Sequence, residues 1–137
     1  MAEPYAVIDD AALAVLVDRF YARVRRDPLL GPVFEDAVDD WPAHLETLTD
    51  FWSSVMLTSG RYHGRPMQAH MRLPIEEGMF ERWLSHWRET TRELFVAEHA
   101  AVLIAKAERI AQSLSLGMFY RPENDAPRPG GPAPLKR

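Results

Sequence analysis

Four segments of this chain repeat their apolar residues every three to four positions, and no stretch alternates at period two for long enough to make a strand. That pattern predicts an all-α domain. The first segment opens at Asp9 or Asp10, either of which can cap it, and runs to about Arg26, with Ala12, Leu13, Leu16, Val17, Phe20, Tyr21 and Val24 on one stripe. Arg23, Arg25 and Arg26 fall in its last turns, where positive charge suits the helix dipole, and Asp27-Pro28 stops it. Leu29 to Phe34, interrupted by Gly31-Pro32, reads as an apolar elbow in a short 3₁₀ or irregular turn. The second helix starts at Asp40-Trp41-Pro42 and runs to about Thr58, with Gly60 closing it. Its apolar face is Leu45, Leu48, Phe51, Trp52, Val55 and Met56, and His44 shares that stripe. A third helix from Met79 to about Phe95 has a strongly aromatic face of Phe80, Trp83, Leu84, Trp87 and Leu94. The fourth, Ala97 to about Leu116, ends at Gly117.

Between the second and third lies G-R-P-M-Q-A-H-M-R-L-P, Gly64 to Pro74. Pro66 suits the first turn of a helix and Pro74 ends one, so His70 is predicted on a helix of barely two turns, flanked by Met67, Met71 and Leu73. An imidazole held there is either a satisfied core histidine or an axial ligand for something large and apolar. The segment after Tyr120 holds five prolines and two glycines and is expected to be a disordered tail (121–137) behind one domain (1–120).

The chain's 137 residues suffice for one domain with a sizeable core. A net charge of −4 with mixed signs argues against a nucleic-acid partner, which would want a basic stripe. No apolar run approaches the roughly 18 residues of a membrane span, and the acidic N-terminus does not read as a secretory signal. With no cysteine there are no disulfides, thiolate metal sites or iron–sulfur clusters, and the expectation is a cytoplasmic protein with no membrane partner. Four Trp, six Phe, four Tyr and six Met either fill a core or line a cavity for a flat ligand.

Polar-tipped Tyr21 and His44 sit on otherwise apolar faces of two helices, and His70 on a third element. One such residue is ordinary in a helical bundle; three suggest a shared pocket with donors on one wall. Ligation of a bare metal by histidines lacks the usual i, i+4 pairing or Glu-x-x-His, and His99 falls on a face expected to be exposed. No nucleophile elbow or phosphate-binding glycine loop is present.

The ordered set of motifs resembles the truncated haemoglobins, and the third group of that family most. Phe20-Tyr21 followed by D-P-L-L-G-P-V-F, Trp41-x-x-His44, Phe51-Trp52, Gly64-x-Pro66-Met67-x-x-His70 with Leu73-Pro74, and Phe80-x-x-Trp83-Leu84 carry the likeness, over roughly residues 10 to 118. The Gly-Gly pairs typical of the first two groups are absent from that span.

The resemblance implies a two-over-two helical sandwich around one haem b. His70 would be the proximal iron ligand. Tyr21, His44 and Trp83 would face the distal side, with Tyr21 the first choice of hydrogen-bond donor and His44 either a further polar contact or a gate. Leu48, Phe51, Trp52, Met56 and Met67 would be haem neighbours, and Arg61, Tyr62, His63 and Arg72 candidates for the propionates. Three functions stay open. One is reversible binding or transport of O₂ or a related diatomic gas (NO, CO). Another is catalysis on nitric oxide or peroxide using Tyr21 and His44, with a separate reductase as electron donor. The last is a haem-free helical interaction module.

Overall fold

The apolar stripes become helices where capping groups allow, and a computed structural model of the protein describes residues 3–64 and 74–119. Helix α1 spans Asp10–Arg26. Asp9 is its cap, accepting from the Ala12 N–H at 2.9 Å, and the three arginines occupy its last turn. All seven residues of the predicted stripe, Ala12 to Val24, are buried. Fully burying a Leu, Val or Phe side chain stabilises by roughly 1.5–3 kcal/mol, so this stripe is the backbone of the core.

The expected elbow is instead a helix, α2, Leu30–Ala37. Pro32 falls in its first turn, where a missing N–H costs no hydrogen bond. Asp27 supplies the start signal: its Oδ1 accepts from the N–H groups of Leu29 (2.7 Å) and Leu30 (3.0 Å), while its own N–H closes α1 on the Val24 carbonyl at 3.1 Å. Gly31 is required there, because a Cβ would stand 2.6 Å from the Arg25 carbonyl oxygen.

The same carboxylate reaches across the molecule. Arg82 donates to Asp27 at 2.7 and 2.8 Å and His86 Nε2 lies 2.7 Å from Oδ2, both from helix α4, Glu77–Leu94. Burial alone would raise the Asp27 carboxyl, but the bonds from His86, Arg82, Leu30 and Leu29 outweigh it and hold the group well below its ordinary value of 3.8. Its contribution is therefore complete above about 3.8 and falls away as pH drops below that, because the unfolded chain takes the proton first. Asp27→Ala is expected to cost about 2–4 kcal/mol at neutral pH, from a lost cap and a buried charge pair. Urea unfolding of both proteins at pH 7 and near pH 2 tests this; the gap between them should narrow in acid.

Helix α3, Trp41–Leu57, is capped by Asp40, which accepts from Ala43 N–H at 3.1 Å. It closes on Thr58, in the left-handed region (φ 52°), ahead of Gly60. Helix α5, Ala97–Phe119, continues through Gly117 rather than stopping before it. The described residues thus hold five helices, with the extra short one between the first two long ones; the segment around His70 and the tail from residue 120 lie outside them.

Helices α4 and α5, joined by Phe95 and Val96, make the most extensive pairing, and α1 packs on α3, α4 and α2. The pairs α1/α3 and α4/α5 stack as a two-over-two sandwich. Ahead of α1, Tyr5 donates to the Leu94 carbonyl (2.7 Å) and accepts from Val96 N–H (3.0 Å), its ring 5.4 Å from that of Phe95. His99 Nε2 lies 2.8 Å from the Ala6 carbonyl oxygen. No helix among the described residues is long and apolar enough to cross a membrane.

Candidate functional site

Helix α3 differs from α1 in one respect: its apolar stripe is mostly half-buried, with only Trp52 and Ser53 fully enclosed. The stripe faces a cavity of about 560 Å³. Leu48, Phe51, Trp52 and His44 form its α3 wall, Tyr21 comes from α1, and Trp83 from α4. These six are residues that the sequence placed at the site. Met56, a turn beyond Trp52, packs against the core without lining the cavity. His70 and Met67 lie outside the described residues.

Tyr21 is the polar centre of this wall. It is 5% exposed and sits in an aromatic cage, with ring centroids of Phe20, Phe34 and Trp41 at 4.6, 5.7 and 6.0 Å. Burial pushes its phenol up to about 12, with a hydrogen bond from the Trp83 side chain pulling the other way. At physiological pH the group is therefore a neutral phenol. Indole nitrogen only donates, so Tyr21 is the acceptor in that pair and keeps its own proton for another acceptor.

His44 is half-buried on the same wall, its ring 6.2 Å from that of Tyr21 and 5.5 Å from that of Trp41. Trp41 in turn lies under the Arg25 guanidinium at 4.3 Å, which ties the end of α1 to the start of α3.

Of the residues considered for propionates, Arg61 is committed elsewhere: it pairs with Asp10 and with Asp50 (3.3 Å) and donates to Ser53 Oγ at 2.9 Å. Tyr62 lines the cavity, its ring 5.1 Å from Phe51, and His63 is exposed. Arg72 lies outside the described residues.

Sequence reasoning missed the walls from other helices: Val33 and Phe34 on α2, Met79 and Phe80 on α4, and Ile110, Ala111 and Leu114 on α5. Their signal is the apolar periodicity already used to predict core, which does not distinguish a side chain facing another helix from one facing a cavity. The volume and the mostly aliphatic and aromatic walls, with a few polar groups among them, suit a large, flat, mostly apolar group. Among the described residues no cluster of His, Asp and Glu could hold a bare metal ion.

Comparison with known proteins agrees with that geometry. The family model described as bacterial-like globin matches residues 6–114. The chain is 30% identical over 122 residues to the group 3 truncated hemoglobin ctb of Campylobacter jejuni, covering 85% of this chain and 95% of that one. It is 35% identical over 85 residues to the group 2 truncated hemoglobin YjbI of Bacillus subtilis, covering 60% of this chain and 64% of that protein. The crystal structure of the group III truncated hemoglobin from Campylobacter jejuni superposes with a TM-score of 0.82 at 29% identity, over 86% of this chain and 97% of that chain. The chain belongs to the bacterial-like globins, as a truncated haemoglobin of the third group, and by family it is a haem protein.

Proposed function

We propose that the cavity takes one haem b, that His70 is its proximal ligand, and that the protein reversibly binds O₂ or a related diatomic gas on the side walled by Tyr21. The haem supplies an iron with one open coordination position. The observation that carries the reading is the Tyr21 phenol, 5% exposed and set in the wall of a mostly apolar cavity beside Trp83 and His44. That arrangement leaves the Tyr21 proton to be donated toward a ligand in the cavity. Leu48, Phe51 and Trp52 exclude water from the same space, which strengthens any hydrogen bond made inside it. O₂ would carry more negative charge at a haem iron than CO, so a hydrogen-bond donor on this wall would favour O₂ over CO. His70 needs a backbone carbonyl as acceptor for its second ring nitrogen, which would fix its tautomer.

His44 on the Tyr21 wall, its ring 6.2 Å from the phenol ring, supports a second reading, catalysis on nitric oxide or peroxide, because an imidazole can both donate and accept a proton there. Nitric oxide turnover would draw electrons from a separate reductase.

The absorption spectrum of the purified protein, with haem added and after reduction, tests the central claim. A Soret band saturating at one haem per chain and shifting with CO is the expected result. No band, even with added haem, would leave a helical interaction module as the better account.

A further inference from the structure

Three of the four tryptophans are stacked in a row whose two ends, Trp83 and Trp52, both line the cavity, with Trp87 between them. Trp83 lines the cavity wall. Its ring lies 5.9 Å from that of Trp87 at an interplanar angle of 7°, and Trp87 stacks on Trp52 at 4.4 Å and 21°. Phe20 seals the row edge-on, 5.2 Å from Trp83 and 4.9 Å from Trp87. Packing a core needs apolar bulk, but it does not need three near-parallel indoles, since isolated aromatic pairs are as often edge-to-face.

We propose that this stack is a redox site: when the haem-loaded protein meets a peroxide, one oxidising equivalent passes from the cavity to the indoles at its wall, Trp83 and Trp52, and rests on the Trp87–Trp52 pair. The inference rests on the haem reading above. Hydrogen peroxide takes two electrons and two protons to become two waters. The two protons would come from solvent; one electron would come from the haem and the other from the indole stack, which is left with a one-electron hole. Two equivalents of a one-electron reductant of the phenol or ascorbate class would then return both to their starting states.

Three features favour the pair as the resting place. Overlap is greatest at the 4.4 Å contact, so the hole is shared over two rings. Trp87 Nε1 donates to the Leu103 carbonyl at 3.0 Å, a bond that becomes charge-assisted when the ring is oxidised and so offsets part of the cost of a buried charge. Trp87 is fully buried and Trp52 only 2% exposed, which keeps water and quenchers away.

The test is freeze-quench electron paramagnetic resonance of the ferric haem protein after one equivalent of hydrogen peroxide, with haem loading confirmed first by the Soret band. Failure to load would overturn the haem reading and this inference with it. With haem in place, the expected radical signal narrows in protein made with ring-deuterated tryptophan and is lost in Trp52→Phe. Three results overturn the proposal alone: narrowing only with ring-deuterated tyrosine, an unchanged indole signal in Trp52→Phe, or loss of the signal in Trp41→Phe, the one indole outside the stack. The labelling arm needs no variant, so a folding defect does not blunt the test.

Discussion

Tyr21→Phe is expected to speed O₂ release by roughly tenfold or more while leaving CO binding nearly unchanged. A hydrogen bond to a charged acceptor contributes about 1.5–3 kcal/mol, which corresponds to roughly 10- to 150-fold in retention. The substitution keeps the ring that Phe20, Phe34 and Trp41 enclose, so the cage should hold its shape. It also strands the Trp83 N–H that now bonds to the phenol oxygen. That donor is then free to turn toward the ligand, which places the expected effect nearer tenfold than the upper limit. Stopped-flow release of O₂ and flash photolysis of the CO complex give the two rates. An unchanged O₂ off-rate would remove Tyr21 from the donor role.

His70→Ala should abolish haem retention, or weaken it until haem passes to an acceptor globin within the mixing time. The cavity walls are mostly apolar and would still hold a porphyrin loosely, while the one imidazole among their described residues, His44, stands on the Tyr21 wall. Added imidazole should restore a Soret band, because the small ligand fills the space that the side chain gave up. A normal five-coordinate ferrous spectrum in the variant without imidazole would sink the proximal assignment.

What the sequence carries well is periodicity. The α1 stripe reads directly from Ala12 to Val24 because every one of its apolar residues meets protein. The α2 helix does not read, because Asp27-Pro28 is a stop signal for the chain before it, and a start signal only once the carboxylate folds back onto the Leu29 and Leu30 N–H groups. Nor do the bonds from Arg82 and His86 to Asp27, which join residues far apart in the chain. At the cavity, Tyr21 and His44 are legible because a polar tip on an apolar stripe needs an explanation, whereas Trp83 is legible only through the family resemblance. Phe34, Ile110 and Leu114 carry no such mark: an apolar side chain beside a cavity has the same pattern as one beside another helix.

The segment ahead of α1 gives the molecule a closure of its own. Tyr5 meets Leu94 and Val96 after nearly the whole helical body has intervened, whereas α4 meets α5 across two residues. Loop closure costs rise only slowly with length, yet a contact of such large sequence separation forms late, after local pairs have already drawn the ends together. The α4–α5 hairpin therefore assembles early, and the N-terminal arm docks onto its turn as one of the last events of folding. Reversed, the same order makes the arm the first part to peel away under load, opening the Phe95 side of the core while the cavity, lined on these helices by Trp83 and Ile110 several helical turns from Phe95, is still intact.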